Sequence, residues 1–324
     1  MSSPDTIGAE WLSPTRVWRL TRCPASAGRL HFPPVAECAG PQNSGTIAHT
    51  AVQLWIENGG HHSMDPCSAL VGSINIALAA TGTDPPPDWP VTRARLLIRA
   101  AELASLLVGY PHRQVICETE LRDPAWKIRG TPDIVLVGDT VAVIDLKTQT
   151  LKKSELPPWE QFQLAIYAHL VKQTYGALPK TVEVFSLNRG RIPVVVTPEL
   201  IADALSKVQQ ARKASPAEAH PGLETCRFCR RRMECQPHWN AAKGWPDSDC
   251  VEGEIKRLEK AANGHIALLL KTPGGPAWVS GIPVKLMSVT TGARIRFVRL
   301  RTATSSHYPV AAWKWGTSSA LAVR

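Results

Sequence analysis

Long hydrophobic runs, internal repeats and low-complexity tracts are all missing from this chain of 324 residues. Since no run of 18 or more apolar residues occurs, we expect no transmembrane helix. The first ten residues lack a basic stretch followed by an apolar one, so they do not resemble a signal peptide. A cytoplasmic protein is therefore expected. Its eight cysteines should then serve as metal ligands or free thiols rather than disulfides.

Acidic residues are scarce in one part of the chain only. From Val251 to Arg324 there are eleven Lys or Arg residues against three Glu and no Asp, a net charge of +8. The first 250 residues carry 26 basic and 24 acidic residues, a net charge of +2. A basic tail on a nearly neutral body indicates a polyanionic partner such as nucleic acid. The alternative is charge that serves only solubility.

Periodicity and helix-end signals predict the secondary structure of the larger part of the chain. Ser13-Pro14 starts the first helix and Gly59-Gly60 stops the second. Predicted helices cover 13–23, 45–58, 67–80, 91–108, 158–173 and 198–214, and predicted strands cover 113–121, 181–187 and 192–196, with two more within 128–148. This order of elements predicts an α/β (α+β) fold with one mixed sheet.

The composition changes after Trp245-Pro246. Short strand-like runs separated by Gly, Pro and Asn turns are predicted at 253–260, 265–271, 277–280, 284–289 and 293–301. They indicate a small β-barrel or sandwich. We therefore expect a flexible N-terminus over 1–12, a large domain over 13–244 and a small basic β domain over 245–324.

The stretch from Ile128 to Thr148 reads as two apolar strands joined by a tight Gly-Asp turn. Asp133 opens the first strand. Asp145 and Lys147 close the second strand on one face, because they are two residues apart. Carboxylates suit Mg²⁺ or Mn²⁺, with the Leu146 carbonyl beside them, and Lys147 can orient a water or stabilise a phosphate. A salt-bridged surface hairpin is the alternative.

The order of motifs around this hairpin resembles the PD-(D/E)xK nuclease superfamily, and within it the RecB-like exonucleases. The motifs that carry the resemblance are Gly130-x-Pro-Asp133, then Asp145-Leu-Lys147-Thr after eleven intervening residues, then Gln163-x-x-x-Tyr167 in a helix. The resemblance covers roughly residues 13 to 235. It implies a restriction-endonuclease-like mixed central sheet flanked by helices, and metal-dependent hydrolysis of phosphodiester bonds.

The resemblance also implies roles for residues outside the hairpin. His49 fits an upstream helical histidine that ligates metal in the family, whereas an ordinary core histidine is its alternative. Glu118 fits the acidic position on the preceding strand, and Glu120 competes with it because both have the same strand parity. Gln163 and Tyr167 share a helix face, which would contact substrate and support the catalytic residues. A buried tyrosine with a satisfied hydroxyl is the alternative for Tyr167.

Three cysteines, Cys226, Cys229 and Cys235, fall within ten residues. Such a group indicates a metal site that needs a fourth ligand. His238 would complete a Cys₃His zinc site, whereas four thiolates would hold an iron–sulfur cluster. An early Cys-Pro at Cys23 with a late C-x₂-C-x₅-C resembles the iron–sulfur nucleases, namely the CRISPR-associated exonucleases and AddB-type subunits. That resemblance implies a structural 4Fe-4S cluster on the four cysteines, with zinc as the alternative.

The basic C-terminal segment looks OB-like in its strand pattern. An OB fold would bind single-stranded nucleic acid through basic residues and stacking aromatics. Arg294 and Arg296 share one strand face, and a strand end or bulge is expected near Val298. The aromatic residues expected to be available for stacking are Trp278, Phe297, Tyr308, Trp313 and Trp315. The alternative is a solvated β domain that only packs on the rest of the chain or mediates dimer contacts.

These patterns together predict a metal-dependent DNA exonuclease that acts on single-stranded DNA or DNA ends. Its catalytic residues would be Asp133, Asp145, Lys147, Glu118, Gln163 and Tyr167, and its metal ligands His49, Asp133, Asp145 and Leu146. The alternative from another class is a nucleic-acid-binding accessory protein that keeps the fold but not turnover. An iron–sulfur redox protein has little support, since no flavin motif or second cluster motif occurs. Usage rich in Pro, Ala and Arg suggests a GC-rich, phage-encoded source acting in the host cytoplasm.

Overall fold

The computed structural model describes residues 10–28, 44–110, 114–150, 156–245, 248–286, 289–303, 310–316 and 318–323. The chain divides into two compact units. The central unit is built from Thr6–Trp18 and Pro41–Lys213, and the C-terminal unit from Arg19–Gly40 and Ala214–Arg324. Over the described residues, no helix is both long and apolar enough to cross a membrane.

The central unit is a mixed sheet with helices, as the order of predicted elements indicated. Its helices are α1 (Pro14–Arg22, which continues into the other unit), α2 (Ser44–Glu57), α3 (Pro66–Ala79), α4 (Trp89–Gly109), α5 (Pro158–Tyr175) and α6 (Pro198–Lys213). Its strands are β1 (Gln114–Cys117), β2 (Leu121–Asp123), β3 (Ile128–Gly130), β4 (Ile134–Val137), β5 (Val141–Lys147), β6 (Thr181–Ser186) and β7 (Gly190–Val194). The main sheet has the order β1-β4-β5-β6-β7, in which only β5 and β6 run parallel.

Strand alternation decides which side chains of β5 enter the core. Ile144 and Leu146 are buried in a cluster with residues of α2, α3 and α4. Asp145 and Lys147 have the opposite parity, so they point to the face where α5 packs against β5. Helix α5 starts with Pro158 in its first turn and stops at Gly176, which adopts a left-handed φ of +78°. The pleat of β5 thus presents the polar residues to α5.

Two predicted strands are each broken in the structure. The predicted strand 113–121 ends at Cys117, because Glu118 adopts a left-handed φ of +46°. The first strand of the predicted hairpin is interrupted around Pro132, which has no N–H for a ladder bond. The freed pieces, β2 and β3, pair with each other as a separate two-stranded ribbon. Residues 111–113 lie outside the described part of the chain.

The last residue of the predicted flexible N-terminus packs beside strand β3 of the central unit. Leu12 is fully buried. It forms a parallel bridge with Ile128, and its backbone N–H donates to the Lys127 carbonyl oxygen at 3.0 Å. Residues 1–9 of that predicted segment lie outside the described residues.

The C-terminal unit combines short helices with a curled, half-barrel sheet. Its helices are α7 (Leu223–Arg227) and α8 (Gln236–Ala242), and its strands are β8 (Val251–Lys260), β9 (His265–Thr272), β10 (Gly275–Pro283), β11 (Arg294–Val298), β12 (Arg301–Thr302), β13 (Ala311–Lys314) and β14 (Ala320–Val323). The strand order is β12-β13-β10-β9-β8-β11-β14. The predicted strand at 284–289 is wrong where it is described, because Val284–Leu286 is a 3-10 turn.

Arg296 attaches the cysteine-rich segment to this sheet. The side chain is 1% exposed, pairs with Glu252 at 3.1 Å and donates to the Met233 carbonyl oxygen at 2.9 Å. Its guanidinium also lies 4.7 Å from the ring centroid of Trp239. The compact C-terminal unit therefore contains the cysteine-rich segment, from residue 214 onward, as well as the β strands. The predicted domain boundary near residue 245 stays a prediction.

Candidate active site

The end of the β4–β5 hairpin brings the two predicted aspartates and the lysine together. Asp133 Oδ2 accepts the backbone N–H of Leu146 at 2.5 Å. Asp145 Oδ2 lies 2.7 Å from Lys147 Nζ, as expected for residues two apart on one strand. These residues line a cleft of about 350 Å³, together with His49 and Gln163. The hairpin therefore places its charges in a concave, polar site.

Helix α2 and the residue that follows strand β1 complete a candidate cation site. His49 Nδ1 lies 3.2 Å from Glu118 Oε1 and 3.2 Å from Asp133 Oδ1. Ligand-type atoms of these three residues all lie within 4.8 Å of one another, and no other such group was found among the described residues. Burial disfavours the imidazolium, but hydrogen bonds to Asp133 and Glu118 outweigh it and raise the pKa of His49 to about 10. A protonated His49 thus balances the carboxylates.

Asp145 is the most deeply buried acid of the cleft, with 2% of its surface exposed. Burial raises its pKa to about 7, Asp133 adds to the rise, and Lys147 opposes it. A carboxyl group with this pKa is easily ionised by a cation, because a positive charge in place of the proton removes the cost of burial. A raised pKa in a cleft is also typical of functional groups.

Helix α5 supplies the third side of the site. Lys147 Nζ donates to Gln163 Oε1 at 3.3 Å, and Gln163 Nε2 donates to the Tyr167 hydroxyl at 2.9 Å. Burial raises the pKa of Tyr167, and the charges of Asp145 and Asp133 raise it further. The hydroxyl therefore stays protonated, and the Gln163 amide links it to Lys147.

The two competing glutamates of the neighbouring strand have different surroundings. Glu118 faces His49, whereas Glu120 pairs with Arg129 at 3.1 Å and with Arg122. The parity argument failed because the left-handed backbone at Glu118 reorients the chain between the two residues. Non-glycine residues in this conformation cost about 1–3 kcal/mol and are concentrated at functional sites.

Sequence reasoning missed Glu160 and Trp159, which lie one turn before Gln163 on α5. Glu160 is fully buried; one carboxylate oxygen accepts from Gln149 at 3.0 Å, and the other has no hydrogen-bond partner among the described residues. Lys147 Nζ lies 5.1 Å from the Trp159 ring centroid. The three-residue spacing between Glu160 and Gln163 was the available signal, since it places both on one helix face.

The C-terminal unit gathers the four predicted cysteines. Cys23, Cys226, Cys229 and Cys235 line one narrow pocket, together with His238, and none forms a disulfide. Burial raises the pKa of Cys226 to about 11, and the other three cysteines add to the rise. Cys23 Sγ also accepts the backbone N–H of His220 at 3.3 Å. The early and late cysteine motifs therefore meet in one pocket.

Residues 11–236 match the PD-(D/E)XK nuclease superfamily. Since the match covers more than half of the chain, the protein belongs to this superfamily of nucleases. Its members generally use Mg²⁺ or Mn²⁺, and the grouping of His49, Glu118 and Asp133 suits such an ion.

Comparison with individual proteins finds only distant similarity in sequence. The Gene 69 protein of Mycobacterium phage D29 is 31% identical over 138 residues, which cover 39% of this chain and 48% of that protein. The match thus spans about half the length of that relative. Among solved structures, one from Eubacterium rectale named "Putative exonuclease" is 11% identical over 74% of this chain and 92% of its own, with a TM-score of 0.41. Another, named SSO0001, is 15% identical over 63% and 89%, with a TM-score of 0.29.

Proposed function

We propose that this protein is a metal-dependent DNA exonuclease acting on single-stranded DNA or DNA ends. The observation that carries the proposal is the cleft at the end of the β4–β5 hairpin, where His49, Glu118 and Asp133 converge beside Asp145 and Lys147. Three carboxylates and an imidazole are a suitable donor set for Mg²⁺ or Mn²⁺. A nucleic-acid substrate also agrees with the net charge of +10.

When bound, such an ion supplies Lewis acidity and lowers the pKa of a coordinated water. His49, Asp133 and Asp145 would hold it, with Glu118 and the Leu146 carbonyl as further ligands. The Lys147 ammonium, held between Asp145 and Gln163, supplies positive charge to the scissile phosphate and orients the attacking water. Trp159 packs against that ammonium and limits the positions it can adopt.

We further propose that the four-cysteine pocket holds a structural 4Fe-4S cluster. Four free cysteines line the pocket, which supports four-thiolate ligation. His238 lines the same pocket and would be the fourth ligand of the zinc alternative. The mycobacteriophage relative supports an origin in a phage genome and action in the host cytoplasm.

The activity is tested with an end-labelled single-stranded oligonucleotide and Mn²⁺. Asp145→Ala should reduce cleavage at least about 1000-fold, because it removes a ligand and the partner of Lys147. Asp139→Ala changes an exposed aspartate at the opposite end of the same hairpin and should cleave like the parent chain. Equal cleavage by the Asp145→Ala protein and its parent would refute the assignment. Tight binding with no cleavage by the parent under any divalent metal would favour an accessory protein.

A further inference from the structure

The C-terminal unit contains a second cavity, of about 450 Å³, that none of the catalytic residues touches. Its lining residues include Trp239, Trp245 and Trp313, together with Ala242 and Val251. Cavities of this size with aromatic walls and a few polar groups are typical of sites for small, flat ligands. The lining therefore indicates a binding site for an aromatic ring system.

The tryptophan walls are held in place before any ligand arrives. Trp239 and Trp313 each donate the indole N–H to a backbone carbonyl oxygen, at 3.0 and 2.9 Å. The Trp245 ring lies 5.2 Å from the ring of the fully buried His238. Rings that are already fixed lose little conformational freedom when a ligand binds between them. The cavity is thus suited to stacking.

One positive charge lies at the cavity. The exposed Lys243 is among its lining residues. The only carboxylate among the described lining residues is Glu252, which pairs with Arg296 at 3.1 Å. The rim therefore favours a ligand that joins an aromatic ring to an anion, which is the chemistry of a nucleotide.

We propose that this cavity binds an unpaired base of single-stranded nucleic acid, with a neighbouring phosphate at Lys243. The inference rests on the proposed nuclease function and assigns a substrate-holding site distinct from the catalytic cleft. Every base has a π face, so stacking on tryptophan tolerates any sequence. A duplex would present no unpaired base to the cavity, so the site discriminates in favour of single strands.

The test measures binding separately from cleavage. Full-length protein carrying Asp145→Asn is used so that the oligonucleotide is not cleaved during the measurement. It is titrated into a fluorescently labelled oligo-dT while anisotropy is recorded. Adding Trp245→Ala should weaken binding by about 5- to 150-fold, the range for loss of one stacked base. Adding Lys243→Ala should lower the slope of log K against log salt by about 0.7, the value for one single-strand phosphate contact. An abasic strand of equal length should bind weakly to every variant.

Matched controls separate the cavity from general effects. Trp126→Ala removes a partly buried tryptophan of the turn between β2 and β3, and Lys260→Ala removes an exposed lysine of β8. Neither residue lines the cavity. The tryptophan control should leave affinity within about twofold of the parent value. Lys260→Ala should lower the salt slope less than Lys243→Ala does.

Unchanged oligo-dT affinity in both Trp245→Ala and Lys243→Glu would overturn the proposal, since the exposed Lys243 can be changed without disturbing the core. That result would leave nuclease activity intact, whereas failure of the parent chain to cleave would refute the function and not the cavity.

Discussion

At the scale of single residues, Glu118 and Glu120 show how backbone conformation assigns roles. Both are acidic, two apart and close to Asp133 along the ladder, yet only Glu118 faces His49. Arg122 and Arg129 neutralise Glu120 instead and lower its pKa. The left-handed φ of Glu118 is the feature that separates them. No sequence pattern reveals a positive φ at a glutamate, which is why this choice could not be made from the sequence.

Exchanging one carboxylate for an amide at these two positions tests the distinction. Glu118→Gln should reduce Mn²⁺-dependent cleavage about 10- to 100-fold, because a charged group is lost from the cation site. Glu120→Gln should stay within about twofold of the parent, because its partners are exposed arginines and exposed ion pairs contribute little. Rates are measured at several Mn²⁺ concentrations. The reverse order of the two effects would transfer the metal-binding role to Glu120.

Because Asp145 and His49 can both carry protons, the binding of a metal ion in the cleft should depend on pH. Below pH 7, Asp145 carries a proton, since its pKa is about 7, and His49 remains protonated up to about pH 10. Both protons must leave when a cation binds, so Mn²⁺ binding should release about two protons at pH 6 and about one at pH 8.5, and the affinity should rise with pH. Calorimetry in buffers of different ionisation enthalpy counts these protons. A release of zero at both pH values would show that the cation binds elsewhere.

At the scale of elements, Gly130 sets the distance between the β2–β3 ribbon and α5. A Cβ at this position would lie 2.8 Å from Tyr167 Cε1 and 3.0 Å from Leu170 Cδ1. The motif glycine before Asp133 is therefore explained by close approach to the helix that carries Gln163 and Tyr167, and not by a special backbone angle.

Gly130→Ala should destabilise the protein by about 1–3 kcal/mol, because the added methyl group must displace Tyr167 or Leu170. Gly72→Ala provides the matched control. Apart from its chain neighbours and the backbone of its own helix α3, no atom of the described residues lies within 4 Å of a Cβ at that position. There the replacement should be neutral or stabilising by up to about 1 kcal/mol. Denaturant unfolding of both variants measures the difference. Equal stability of the two would mean that α5 can move away without cost.

How far the sequence predicted these elements depended on the kind of signal. Helices with a clear start and stop, such as α2 before Gly59-Gly60 and α5 after Pro158, were predicted to within one or two residues. Strands β13 and β14 are four residues long and lack an alternating pattern, so they were missed. Phe297 was expected to be available for stacking but is fully buried in the core of the C-terminal unit. Tyr308 lies outside the described residues.

At the scale of the whole molecule, the cysteine pocket joins parts of the chain that are about 200 residues apart. Cys23 lies between the two segments of the central unit in sequence, and Cys226, Cys229 and Cys235 lie after both, yet all four line one pocket. A cross-link that closes a loop of this length removes about 5 kcal/mol of unfolded-state entropy in the chain-entropy view. The resemblance to iron–sulfur nucleases predicted this grouping, whereas the cavity lined by tryptophans had no recognisable motif.

Protein purified without oxygen should contain about four iron ions per chain and absorb near 400 nm, as four-thiolate iron–sulfur clusters do. Cys229→Ser should lose the iron and melt at a lower temperature, because the closed loop is opened. Cys67→Ser, which changes a cysteine of α3 in the central unit, should keep the iron. Metal analysis that finds one zinc ion per chain in place of iron would overturn the cluster assignment.

The position of Cys23 has a consequence for how the chain is synthesised. It leaves the ribosome first, and its three partners follow only after the complete central unit has been translated. During that interval its thiol has none of the other three cysteines to pair with, while α2 to α6 and the main sheet can already fold. The early and late segments of the C-terminal unit, Arg19–Gly40 and Ala214–Arg324, are then brought together in a late step. A chain interrupted before residue 226 would hold every catalytic side chain proposed for the cleft and still lack three of the four cysteines that line the pocket.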